Sequence, residues 1–344
     1  MKLKTNNYKK INFLLKNNVK TIIVSKIYLF KLLFIIIIIM IIGIFIFIKN
    51  YSGKKFKKIN ENYLQLDKYE TNIFDNIKEK LISNKCSIMW KNQKEFINGA
   101  VRKFRPKKIL EVGVARGGAS AIILNAIQDI NNSHLYSIDI SVSKNIGECV
   151  INLFPEFKVK WTLLKGNIVS YFIEKIGKDI DMVLLDTSHF EPGEILDYLL
   201  VLPFLKEEAI VILHDIANQI NFAGIEGTRH EWAPYIIFNL IRGKKFYPSG
   251  DNVLLQDIGV IILEKNQNKY IYDYFRALGG QWELFPEEKH INLMRKFIKK
   301  YYDEICLSIF EDAIKFNRDF VKNNRIIGYY QSKAWNIKYR FQIP

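Results

Sequence analysis

From Ile27 to Ile48 the chain is apolar on every face. The stretch "LLFIIIIIMIIGIFIFI", Leu32 to Ile48, is seventeen residues without a charge, and only Lys31 interrupts its extension back to Ile27. About 20 apolar residues are needed to cross a hydrocarbon core, so the pattern predicts one transmembrane helix over 27–48. It would be preceded by a tail, 1–26, and followed by a linker, 49–59. A secretory signal would have a shorter apolar core and a small-residue cleavage site, for which "KNYSGKK" is a poor match.

Beyond the linker the pattern changes period. Ile73, Ile77 and Leu81 fall four apart, and Phe96, Ile97, Ala100, Val101 and Phe104 repeat the spacing, which predicts a helical cap over 60–105 that Pro106 ends. Short runs rich in Val, Ile and Leu then alternate with helix-length segments. The expected strands are 108–114, 134–140, 159–166, 181–187, 209–215 and 257–265. Nearly continuous apolar strands separated by helices predict a parallel sheet buried on both faces. The fold class is therefore α/β, a doubly wound, Rossmann-like, mostly parallel sheet over 106–265 with helical caps on both sides in sequence. The C-terminal extension, 266–344, is aromatic and helical, and would pack on the sheet or on a second copy of the chain to form a homo-oligomer.

Charge sharpens this division. Thirteen of the 51 Lys and Arg residues lie in 1–58, which contains no acid, leaving 38 against 35 acids for the remainder. The excess of +16 thus belongs to the N-terminal segment, and nucleic acid is not an expected partner of the folded part. Lysines flank the apolar stretch on both sides, so the positive-inside rule gives no clear orientation. Cys86, Cys149 and Cys306 are odd in number and widely spaced, a pattern expected of free thiols in a reducing compartment.

The first strand ends in "ILEVGVARGGAS", Ile109 to Ser120. In open α/β sheets ligands lie beyond the carboxyl ends of the strands, and glycines let backbone approach them closely. The spacing is Glu111, Gly113, Gly117, not the G-x-G-x-x-G of a dinucleotide site, which disfavours NAD. Asp139, at the tip of the second expected strand, suits the two hydroxyls of a ribose. In this order, "ILEVGVARGGAS" and "LYSIDIS" resemble the first two motifs of class I S-adenosylmethionine-dependent methyltransferases. The later run from "DMVLLDTSHF" to "ILHDI" is similar to bacterial cephalosporin-hydroxylase-like and small-molecule O-methyltransferases. The resemblance spans about residues 95 to 265. It implies that Glu111, Gly113, Gly117 and Ser120 line the methionine part of S-adenosylmethionine, Asp139 the ribose, and Gly166 and Asn167 the adenine edge, with Asp186 close to the cofactor.

On the acceptor side, the strands ending in "LLDTSH" and "ILHDI" would bring Asp186, His189, His214 and Asp215 to one rim. Asp186, His214 and Asp215 are expected metal ligands for Mg²⁺ or Mn²⁺, since relatives place acids at the first and last of these positions. Alternatively His189 or His214, with Asp186, acts as a metal-free acid-base group, or the pair simply caps the strand end. "GTRHEWAPY" adds Arg229, His230, Glu231 and Trp232 as groups that can meet a substrate, or is an ordinary loop ending where the helix "PYIIFNLIRG" begins. The expected activity is methyl transfer to a hydroxyl of a small molecule, sugar or lipid-linked glycan, by a single-pass membrane protein whose catalytic domain faces the cytoplasm, where S-adenosylmethionine is made. The rival expectation is a non-catalytic nucleoside-binding module that docks into a membrane assembly.

Overall fold

The computed structural model describes residues 65–218, 232–249 and 256–323. The expected tail, membrane span and most of the linker lie outside the described residues, as do Arg229, His230 and Glu231. Among the described residues no helix is long and apolar enough to cross a membrane.

Seven strands form one sheet: β1 (Lys108–Val112), β2 (His134–Asp139), β3 (Trp161–Lys165), β4 (Ile180–Leu185), β5 (Leu205–His214), β6 (Gly243–Phe246) and β7 (Ile258–Leu263). Their order is β3-β2-β1-β4-β5-β7-β6. The first five are parallel, whereas β7 runs antiparallel to β5, and β6 antiparallel to β7. The order reverses at β1, which lies between β2 and β4. A crevice for a ligand is expected at such a point.

Helices cover both faces, which is why the central strands are apolar almost throughout. One face is closed by α1 (Thr71–Ser83), α2 (Lys91–Phe104), α3 (Gly118–Ala126) and α4 (Glu148–Leu153). Phe74, Leu81, Phe96, Ile97, Ile122 and Ile123 pack there against Ile109, Met182, Leu184 and Ile212. The other face is closed by α5 (Val169–Ile176), α6 (Gly193–Val201), α7 (Ala233–Leu240), α8 (Ile271–Arg276), α9 (Glu288–Tyr301) and α10 (Glu304–Asn323). The C-terminal aromatic residues are part of this second core. Tyr274, Phe275, Phe297 and Phe310 are buried, while Phe316 is exposed. The extension therefore packs on its own sheet.

Two expectations are corrected. β6, "GKKF", carries two lysines and no alternating apolar pattern, yet it pairs along β7 as the edge of the sheet, where lysines keep an exposed strand from pairing further. Cys86 and Cys149 are not free thiols: they are joined in a disulfide, with Cα atoms 5.9 Å apart. The glycine loop creates this proximity. Cys149 N–H donates to Arg116 O (2.9 Å), and the Arg116 guanidinium donates to the carbonyls of Asn84 (3.0 Å) and Lys85 (2.6 Å), drawing the turn after α1 against the start of α4. Cys306 is free and buried.

Candidate active site

The loop after β1 is built from unusual backbone. Gly113, Ala115 and Gly117 all have positive φ, at 89°, 47° and 88°. A side chain on Gly113 would be impossible in place, because a Cβ there would lie 1.8 Å from the carbonyl oxygen of Asp186. The loops after β1 and β4 are thus in backbone contact. Asp139 braces the same loop from β2, its Oδ2 accepting from the N–H groups of Val114 (3.0 Å) and Ala115 (3.1 Å), and Oδ1 from Ser141 N–H (2.8 Å). A carboxylate has about four acceptor sites, so these bonds leave room for further donors.

Glu111 and Ser120 are turned inward. Glu111 is wholly buried, and its Oε2 accepts from Ser120 Oγ (2.7 Å) and Ser137 Oγ (2.5 Å). Trp161 in turn donates to Ser137 Oγ (2.8 Å). Oε1 is buried with no hydrogen-bond partner. Burial raises the Glu111 carboxyl to about 8 against the pull of the two serines, so at neutral pH it carries its proton. On the far side of Asp139, Asn167 follows Gly166, whose φ is 93°, and its Oδ1 accepts from Ile168 N–H (3.0 Å) at the entrance to α5.

Asp186, His189 and Asp215 converge at the adjoining ends of β4 and β5. One ligand atom from each lies within 4.8 Å of the others. His189 Nε2 is 2.7 Å from Asp215 Oδ2 and 3.6 Å from Asp186 Oδ1. The other ring nitrogen, Nδ1, lies 3.1 Å from Glu194 Oε1 without hydrogen-bond alignment to it. Glu194 is wholly buried at the start of α6, and the same oxygen accepts from Thr187 N–H (3.1 Å), Thr187 Oγ1 (3.1 Å) and His189 N–H (2.9 Å). His189 and Asp215 both hold left-handed backbone, at φ 63° and 57°, a conformation non-glycine residues adopt at a cost. Asp186 is the most exposed of the three and faces the open rim, at 24% side-chain exposure.

His214 lies against the other carboxylate oxygen of Asp215. Its Nδ1 lies 3.2 Å from Asp215 Oδ1 and 3.5 Å from Asp186 Oδ1, without hydrogen-bond alignment to either, and Nε2 is buried with no partner. With Asp215 and Asp257 it forms a second group whose ligand atoms lie close enough to hold a metal ion. Electrostatics bind these residues into one set. Burial would lower both imidazoles, but Asp215 and Glu194 hold His189 up at about 10, while Asp215 and Asp186 hold His214 well above its usual value. Burial would raise both acids, but the histidines keep Asp215 well below the carboxylate range and Asp186 below it.

Glu194, Asp257 and Ser137 were not singled out by sequence reasoning. A signal existed for the first. Glu194 and Asp197 are acids three apart in the otherwise apolar "GEILDYLLV" helix, and both face inward; Thr187 Oγ1 donates to Asp197 (2.8 Å). Nothing local marked Ser137 or Asp257. A cavity of ≈ 30 Å³ opens beside this rim, between Ile168, Ser188, Asp197, Leu284, His290 and Met294, so the C-terminal extension contributes a wall next to the site.

Residues 110–216 match the family model of a methyltransferase domain, from β1 through Asp215. No curated protein matches the chain in sequence. Among solved structures, the O-methyltransferase TomG of Streptomyces achromogenes, in complex with S-adenosylmethionine, is 14% identical, with a TM-score of 0.42 over 56% of this chain and 89% of that one. An O-methyltransferase of Bacillus cereus with S-adenosylhomocysteine is 11% identical, with a TM-score of 0.43 over 56% and 90%. The Podospora anserina methyltransferase PaMTH1 is 12% identical, with a TM-score of 0.40 over 63% and 96%. Over residues 110–216 this chain is thus similar to a methyltransferase domain.

Proposed function

We propose that the domain methylates a hydroxyl oxygen of a small-molecule, sugar or lipid-linked glycan acceptor, with a divalent cation held by Asp186, His189 and Asp215. The observation that carries this reading is the convergence of those three side chains, with Glu194 set against the remaining nitrogen of His189. A buried carboxylate set beside the second nitrogen of a histidine is a setting common to metal ligands. Two carboxylates and an imidazole suit Mg²⁺ or Mn²⁺.

The charge state of the site favours this over a histidine base. With His189 at about 10, its ring is protonated at neutral pH and cannot accept another proton, and Asp215 and Asp186 shift His214 in the same direction. A metal ligand must be neutral imidazole, so binding a cation displaces the His189 proton and leaves a compatible charge. A cation there would lower the pKa of an acceptor hydroxyl, so that its proton could leave to water, and would fix its oxygen. S-adenosylmethionine supplies a methyl group on a sulfonium and leaves as S-adenosylhomocysteine.

The remaining work falls to the chain. The loop 113–117 and Asp139 position the donor nucleoside, and the inward, protonated Glu111 braces the strand beneath that loop through Ser120 and Ser137. Asp186, at the open rim beside Gly113, stands between donor and acceptor sides, where it orients the acceptor oxygen for in-line approach. The buried Glu194 holds His189 and therefore the geometry of the rim.

Calorimetric titration with S-adenosylmethionine, S-adenosylhomocysteine and NAD, repeated with Asp139→Ala, tests the donor half. Binding of the first two, lost in the variant, is expected; binding of NAD instead would overturn it. Electron paramagnetic resonance of Mn²⁺ with the protein tests the other half, and free Mn²⁺ at all protein concentrations would remove the cation.

A further inference from the structure

The turn between α1 and α2 presents two large apolar side chains to water. Ile88 is 84% exposed and Trp90 77% exposed, with the exposed lysines Lys85 and Lys91 on either side. Ile82, at the end of α1, adds a third exposed apolar group. This exposure is built, not a matter of a loose loop. Met89 between the two is buried, Cys86 is tied to Cys149, Met89 N–H donates to Ser87 Oγ (3.1 Å), and Arg116 holds the carbonyls of Asn84 and Lys85. A backbone pinned at both ends cannot turn Ile88 and Trp90 inward. A clustered apolar patch rimmed by charge marks an interaction surface, whereas isolated exposed residues do not.

Its place in the fold indicates the partner. A Cβ on Gly118 would lie 2.5 Å from both Cys86 O and Ser87 Cβ, so the turn abuts the glycine loop at the end of the sheet where the site opens. The described chain also enters the fold on that side. Asp67 accepts from Ser249 N–H (3.0 Å) and Ser249 Oγ, three residues beyond the end of β6, and β6 and β5 finish at the same end of the sheet because β7 is antiparallel to both. Sixteen residues, 49–64, separate the apolar stretch from Gln65, five of them lysine and one acidic. Fully extended they reach about 55 Å. A tryptophan and an isoleucine flanked by lysines are suited to the headgroup region of an anionic bilayer.

We propose that the Ile88–Trp90 turn, with Lys85 and Lys91, is a membrane-contact surface that lays the open end of the sheet against an anionic bilayer. The proposal rests on reading residues 27–48 as the anchor and is independent of the acceptor. Lys91 shares its charge with Glu95 (3.5 Å), and the Arg116–Glu148 pair lies behind the turn, so Lys85 is the stronger of the two electrostatic contacts.

The full chain is reconstituted into nanodiscs of phosphatidylcholine and phosphatidylglycerol, with and without acyl-chain bromination, and tryptophan quenching is compared with that of Trp90→Phe. Quenching by the brominated lipid that is lost in Trp90→Phe, and not restored by Val159→Trp in that background, is expected. Val159 is a suitable control because it is 79% exposed and precedes β3, at the opposite end of the sheet. Equal quenching of the parent chain and Trp90→Phe overturns the surface and leaves the patch to a protein partner. Flotation of the discs reports the anchor separately, and a chain that does not float overturns anchor and surface together.

Discussion

His189 Nε2 lies 2.7 Å from Asp215 Oδ2, and both residues hold left-handed backbone at the ends of two different loops. The pair closes the gap between the ends of β4 and β5, and Glu194 fixes its other side. Without a cation, Asp215 and Glu194 outweigh burial and keep the His189 ring protonated up to about 10. Asp215→Asn removes the largest favourable charge, so the His189 ring titrates lower, a change that histidine NMR resonances report. The same variant weakens Mn²⁺ binding by ~100-fold or more, while Glu194→Gln, which only loses an outer partner, costs ~10–100-fold. Equal affinities for the two variants and the parent would show that the ion does not sit on this pair.

Glu111 gives a pH dependence of opposite origin. Its carboxyl is raised from 4.5 to about 8, chiefly by burial, so the folded protein binds a proton that the unfolded chain has released. The sign follows from linkage: this contribution to stability is complete below about 4.5 and is lost as pH rises through about 8. A tenfold difference in proton affinity between the folded and unfolded chain is worth about 1.4 kcal/mol, so a loss of a few kcal/mol is expected across that window. Glu111→Gln keeps the shape and cannot ionise. Urea denaturation at pH 6 and pH 8.5 is expected to show a smaller drop for the variant than for the parent; parallel drops would place the slope in other groups.

How far the sequence foretold these features depends on how local each signal is. The central strands were legible because burial on both faces makes each of them a continuous apolar run, as in "MVLL" of β4 or "AIVIL" of β5. β6 was not, because an edge strand is defined by its partner β7 and not by its own two lysines. Asp186, His189, His214 and Asp215 were legible as neighbours, since each follows the end of a strand expected to lie beside the other. Which of the two rings lies beside Glu194 was not, because that is a matter of side-chain packing across two loops. The disulfide was beyond reach for the same reason. Its two cysteines are 63 residues apart and meet only through Arg116.

The Cys86–Cys149 link predicts a simple thiol count. Denatured without reductant, the chain exposes one thiol, Cys306, and after reduction three. In the folded state Cys306 is unreactive, because burial and Asp303 push its thiol up to about 12. Closing a loop of this length restricts the unfolded chain, so reduction is expected to cost about 2–4 kcal/mol in denaturant titrations. Three reactive thiols in the unreduced, denatured chain would contradict the link.

Gly113 is where the loops after β1 and β4 touch, and Gly113→Ala tests that contact. The residue sits at φ 89°, which an L side chain resists, and its Cβ would press to 1.8 Å on the Asp186 carbonyl oxygen. Strain alone costs about 1 kcal/mol, and a backbone clash adds to it. The variant should therefore lose more than ~2 kcal/mol of stability, or displace Asp186 and with it both nucleoside and cation binding. Gly279→Ala is the control, because a Cβ there meets nothing within 4 Å. If Gly113→Ala binds S-adenosylmethionine and Mn²⁺ like the parent and melts with the Gly279→Ala variant, the two loops are not coupled through this backbone. A loss of both ligands together, with Gly279→Ala unchanged, would mean that one glycine sets the spacing between the methyl donor and the rim that receives it.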